Sequence, residues 1–386
     1  MDETVAVRSM PPVPSPPNVG ADVDRAGVPT AVREVLTDIS PPAEVRRLME
    51  TAAGFDPVAW ERLAGSGLLG LHVPRHLGGS ALTYFEVATL FEEAGASLLC
   101  APLFATVALA VNTLLSANDD DAASAYLPGI VAGRTRATVA LTEDSGRWDE
   151  AGVTTVARPV DDGFVLDGHK SFVVDGHTAD LLLVVARSPA GVGLFAVGGD
   201  ADGLTRTPLV TMDQTRKQAR LDLASTPARL VGEDGRGWEA VGRGVHLAAT
   251  ALAAEQVGGA RRCLHMAVDH ARRRMQFGRP IGSFGAVSHA LADVLVGIEA
   301  AASTAAWAAR AAVTSPGDLA VAASSAKASC SVAYTRAAAA NIQVHGGVGF
   351  TWDHDAHLYF KRATSSALLL GDPAWHRAAV ARHLGL

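Results

Sequence analysis

The sequence predicts an α+β chain in three parts: an N-terminal α-helical domain, a central β-domain and a C-terminal four-helix bundle. Three observations predict it. Residues 29–135 carry helical periodicity. Residues 136–234 break into short β-branched runs separated by glycine turns. Residues 235–386 open on a stretch, Trp238 to Phe277, that holds no proline, and continue in alanine-rich segments.

The first 28 residues, "MDETVAVRSMPPVPSPPNVGADVDRAGV", combine prolines with small polar residues and read as a disordered leader. They have no basic n-region and no apolar core, so they do not read as a signal peptide. In 29–135, "DPVAWERLAGSGLLGL" offers an Asp cap, a proline in the first turn and glycines at its end. "LTYFEVATLFEEAGAS" places Phe85, Ala88, Leu90 and Phe91 roughly on one face, and the paired glycines of "VPRHLGGS" mark a loop. In 136–234, runs such as "GFVLDGHKSFVVDG" and "ADLLLVVARS" are punctuated by "DDG", "DGH" and "GGDADG", the texture of β-hairpins. From 235 onward small side chains let helices approach closely, as in an antiparallel bundle.

Composition narrows the function. With 48% hydrophobic and 19% charged residues the chain has material for a large core. A net charge of −7 argues against nucleic-acid binding and gives no basic membrane face. The apolar run "LFATVALAVNTLLSA" is too short to span a bilayer, so no membrane insertion is expected. Cys100, Cys263 and Cys330 lie far apart with no CxxC spacing, which suits buried small hydrophobes in a reducing cytoplasm. His354 and His357 with Asp353 and Asp355 have helical metal-ligand spacing, but no second cluster completes a set, and no metal is expected.

"RRRMQFGRPIGSF" followed by "QVHGGVGF", within this order of parts, resembles the acyl-CoA dehydrogenase family. The likeness runs from about residue 40 to the end, through "WERLAGSGLLGLHVPRHLGGS", "ALTED" and "DGHKSFVVDGHTADLLLVVAR". It implies FAD as cofactor, an acyl-CoA thioester as substrate, α,β-desaturation as the reaction and an electron-transfer flavoprotein-type acceptor. It also implies that Arg274, Phe277, Gln343, Gly346 and Gly347 reach across a subunit interface to the ADP half of a neighbour's FAD. The residue types suit that use: a planar guanidinium matches phosphate oxygens, and bare backbone permits close approach. Two plainer accounts stand beside it. Arg272, Arg273 and Arg274 end a long helix, where cations are favoured by the dipole, and Gly346-Gly347 could be a helix C-cap.

The chain departs from the family where the chemistry should be. The base, a Glu in a "YEGT"-like turn, is replaced by Leu370, and the alternative base position on the first bundle helix holds Ala248 beside Ala249. Two weak substitutes remain: Glu255, two turns beyond Ala248, and Asp372, which with Gly371 and Pro373 reads as a helix stop and cap. Trp148 stands where a serine of a Gly-Ser-Asp is expected. Val174 replaces a flavin-facing threonine, and Gly285 replaces a cofactor-contacting glutamine. Thr142 and Phe172 remain to face a flavin ring.

The resemblance therefore implies a cytoplasmic, base-lacking partner of a catalytic acyl-CoA dehydrogenase paralogue in an α2β2 enzyme, acting on fatty or sterol side-chain thioesters. The alternatives are a self-sufficient homo-oligomeric dehydrogenase with a relocated base, or a flavin oxidase or monooxygenase on the same fold.

Overall fold

A computed structural model describes residues 27–386; nearly all of the leader expected over 1–28 lies outside the described residues. The N-terminal part contains α1 (Val28–Ile39), α2 (Pro42–Met49), α3 (Pro57–Gly65), α4 (Tyr84–Ala96), α5 (Asn112–Ser116) and α6 (Asp120–Val131). Asp56 caps α3, its Oδ1 accepting from Val58 N at 2.8 Å, ahead of a proline in the first turn. On α4 the inner stripe is Tyr84, Val87, Leu90, Phe91 and Ala94, whereas Phe85 faces out. The helix is thus rotated by about one position from the face read in the sequence. Phe104–Val111, leading into α5, is a π-helix with every residue buried.

The central strands are β1 (Ala137–Ala140), β2 (Val156–Val160), β3 (Gly163–Val174), β4 (Leu181–Ser188), β5 (Gly191–Gly198), β6 (Leu204–Pro208) and β7 (Gln218–Val231). Strand order is β1-β4-β2-β3-β7-β5, and β5 returns to pair with β4, so the sheet closes on itself. β3 and β7 slip register twice, the second time between Lys170 and Val173. That bulge carries Phe172 at φ 59°, a left-handed conformation for a bulky residue.

The C-terminal part is α7 (Gly237–Arg273), a short hairpin β8 (Met275–Gln276) and β9 (Arg279–Pro280), α8 (Gly285–Thr314), α9 (Leu319–His345), α10 (Ala356–Leu368) and α11 (Pro373–His383). α7 packs against α9, α8 and α4, so it belongs to both helical parts. The approach is close: a Cβ on Gly258 would strike the Glu92 carbonyl, and one on Gly259 the Tyr334 ring. The three cysteines are free and buried. By length and composition α8 is apolar enough to cross a membrane, a feature the sequence reading overlooked; here it lies beside α7 and α9 and leaves Leu295, Val296 and Trp307 exposed.

Candidate functional site

Thr142 and Phe172 meet at the end of β1. Thr142 Oγ1 donates to the Ser171 carbonyl at 2.7 Å, and Ser171 N donates to the Thr142 carbonyl at 2.9 Å. Beneath them buried Lys170 donates to Glu143 at 2.8 Å and to the Leu141 carbonyl at 3.1 Å, while Glu143 also accepts from Thr154 and Thr155. Burial alone would raise the Glu143 pKa; these donors reverse that and bring it to about 2. The strand end is thus held rigidly, and Phe172 projects from its bulge 44% exposed.

The space beside these residues is filled. Leu109, Val139, Leu141, Thr142, Trp148, Phe172, Val174 and Val245 close around a gap of about 10 Å³. A second gap, between Phe91, Leu99, Leu103, Phe104 and Glu255, measures about 20 Å³. Sites that hold a ligand the size of a flavin ring or an acyl group run to roughly 300–1,000 Å³. Trp148, partly buried against the main core, and the π-helix supply much of the filling.

No carboxylate stands at either expected base position. Leu370 is fully buried in the core at φ 63°. Its carbonyl lies 3.0 Å from His376 Nε2, and the flanking carbonyls of Ala367 and Gly371 each accept from Lys327 Nζ at 3.1 Å. Ala248 and Ala249 are also fully buried. Asp372 caps α11, its Oδ1 accepting from Trp375 N at 2.7 Å, with Gly371 at φ 101° between the helices.

Glu255 sits between two arginines. Arg216 approaches it at 2.5 Å and Arg362 at 2.9 Å, and Arg362 also pairs with Asp213. All four side chains are buried, at the junction of the β6–β7 connection, α7 and α10. Burial would raise the Glu255 pKa, but the two guanidinium groups outweigh it and hold the carboxyl below its ordinary value. A carboxylate held this way is a poor proton acceptor.

Sequence reading missed several buried ionisable groups. Burial takes Lys327 to about 7 and Asp175 up to about 7, and lowers His72 to about 4. A lone lysine inside "AASSAKASCSV" was a visible signal; Asp175 and His72 carried none.

The residues assigned to a neighbour's nucleotide are arranged differently. Arg274 is the C-cap of α7, and Phe277-Gly278 form a two-residue turn with positive φ at both positions, 51° and 76°. Phe277 is 91% exposed. Gln343, Gly346 and Gly347 end α9, all exposed, and a Cβ on either glycine would meet nothing within 4 Å. Gly346, at φ 63°, is also the C-cap of α9. The ends of α7 and α9 lie side by side, since the rings of His270 and His345 are 4.2 Å apart. The His354 ring lies 4.2 Å from that of His345, tilted by 48°, and His357 stacks on Trp352.

Family models for the acyl-CoA dehydrogenase N-terminal, middle and C-terminal domains match residues 28–134, 138–226 and 235–385. The chain belongs to the acyl-CoA dehydrogenase family. It is an oxidoreductase of a family of FAD-binding flavoproteins. This acyl-CoA dehydrogenase is 35% identical over 336 residues to acyl-CoA dehydrogenase IpdE2 of Mycobacterium tuberculosis, covering 86% of this chain and 88% of the relative. Among solved structures it is similar to a Tcur3481-Tcur3483 steroid ACAD variant, with TM-score 0.84 and 31% identity, over 93% of this chain and 97% of that one. It is also similar to the ChsE4-ChsE5 complex from Mycobacterium tuberculosis, with TM-score 0.86 and 27% identity, over 94% and 98%.

Proposed function

We propose that this chain is the base-lacking subunit of a heteromeric acyl-CoA dehydrogenase, which holds the nucleotide tail of an FAD whose ring belongs to a catalytic paralogue. The observation that carries it is that Leu370 and Ala248, both fully buried, stand where a proton acceptor is needed, beside a gap of only about 10 Å³ under Thr142 and Phe172. Glu255 and Asp372 do other work, one in an arginine cluster and one as a helix cap.

FAD, when bound, would supply the acceptor for hydride from the carbon next to the one that loses a proton. This chain's share is binding. Arg274 donates to the pyrophosphate, Phe277 offers a flat apolar face, and the Gly346-Gly347 backbone allows close approach. Exposed Phe277 and the outward apolar face of α8 are covered in that assembly. Two known relatives of this fold are complexes of two differently named chains, one described as a steroid enzyme; a sterol side-chain thioester is the corresponding substrate, with an electron-transfer flavoprotein-type acceptor.

The test is co-expression with a dehydrogenase paralogue that carries the base. Removing that base in the paralogue should abolish turnover of the co-purified enzyme while assembly persists. Turnover that survives its removal would place the base on this chain and end the proposal.

A further inference from the structure

We infer that His345 is a positioning residue for Gly346–Phe350, the segment that meets the nucleotide, and that its place between two other imidazoles makes that hold weaken in acid. The inference rests on the nucleotide-holding reading given above.

His345 is the last residue of α9, and its ring centroid lies 4.2 Å from that of His270 on α7 and 4.2 Å from that of His354, just before α10. Three elements are therefore joined by one row of imidazoles in tilted contact, at 38° and 48°, at the point where the chain leaves α9. Two hydrogen bonds set the tautomers. His345 Nδ1 donates to the Asn341 carbonyl at 2.8 Å, the only role open beside an acceptor. His354 Nδ1 accepts from Ala356 N at 3.1 Å, serving a backbone donor in the first turn of α10. A proton on His354 Nδ1 would abolish that bond.

The surroundings oppose a second charge. Arg273 and Arg274 face His270 from α7; Arg46 of α2 and His357 face His354. Asp355, a carboxylate that faces His354, is already bound to Arg46 at 2.7 Å. Arg46 also donates to the Trp352 carbonyl at 2.7 Å, which pins the far end of the segment. Burial, with the charge of His345 and the arginines, lowers the pKa of His270 and of His354. Both are therefore harder to protonate in this arrangement than in the unfolded chain, so proton uptake in acid works against it. At the near end, Gly346 N donates to the Gln343 and Ile342 carbonyls, the Val348 carbonyl accepts from Thr351, and buried Gly349 packs so close to His345 that a Cβ on it would meet the His345 Cβ at 3.0 Å.

The experiment compares wild type, His345→Phe and His345→Ala in the co-purified complex, following FAD release by fluorescence at pH 7.5 and 5.5. Wild type should release FAD measurably faster at pH 5.5 than at pH 7.5. His345→Phe, which keeps a ring between the two imidazoles but removes the group that faces both, should show a smaller acid acceleration than wild type, and His345→Ala should release FAD fast at both values. Equal acid sensitivity in wild type and His345→Phe would overturn the inference. Amide protection factors over 346–355, read in this chain with or without flavin, keep the test separate from the functional reading. Protection lost in acid more in wild type than in His345→Phe supports the inference even where no flavin is held, and protection independent of pH in wild type overturns it.

Discussion

The Glu255 carboxylate lies 2.9 Å from the Arg362 guanidinium, and both side chains are buried where the β-domain meets two bundle helices. Asp213 and Arg216 complete the cluster, so its two acids and two bases balance. Removing one member leaves an uncompensated buried charge, which costs about 3–5 kcal/mol. Arg362→Met should lower unfolding free energy by that amount in denaturant titrations. Glu255→Gln should lose stability too, but the assembled enzyme should keep its turnover per folded complex. A collapse of turnover with stability intact would make Glu255 a base.

Asp372 should behave only as a cap. Asp372→Ala should cost about 1 kcal/mol, seen as a lower melting temperature, and leave turnover unchanged.

Two buried histidines make the fold acid-sensitive. Burial lowers His376 to about 3, helped by the charge of Lys327, and lowers His72 to about 4. Both folded values lie below the unfolded one near 6.5. The unfolded chain therefore takes up protons first, and each share of stability falls as pH drops below about 6.5, levelling off only under pH 3 for His376 and pH 4 for His72. At pH 5 each should cost about 2 kcal/mol relative to pH 7.5. Buried Asp175, raised to about 7, shifts the total in the opposite sense, so the histidine shares are read by comparing His376→Gln and His72→Gln with wild type at the two values, each variant losing about 2 kcal/mol of the pH dependence.

Arg274 is exposed, so Arg274→Leu should leave stability within about 0.5 kcal/mol. In the complex it should weaken FAD binding by about 1.5–3 kcal/mol, the value of a hydrogen bond to a charged group. Fluorescence titration of the apo-complex reads the change.

The three-part order was legible because texture changes along the chain, from helical period to hairpin turns and back. So were the stops and caps at Asp56 and at Gly371-Asp372-Pro373, since these rest on local chemistry. The loss of a carboxylate at 370 needed only the resemblance. What was not legible depends on packing between distant segments. The π-helix at Phe104–Val111 has the composition of any apolar helix, and its wide turns follow from its burial. Trp148 was visible as a replacement, but not as a plug. The phase of α4 was off by one residue because Phe85 and Tyr84 are equally apolar by type. The row of His270, His345 and His354 joins residues far apart in the sequence, and no pattern announces it.

The most direct test is flavin counted per polypeptide. Expressed alone, this chain should carry no stoichiometric FAD and should not desaturate an acyl-CoA; with its catalytic paralogue, the complex should hold one FAD for every two chains. One FAD per chain in the isolated protein, bleached on adding an acyl-CoA, would contradict the account.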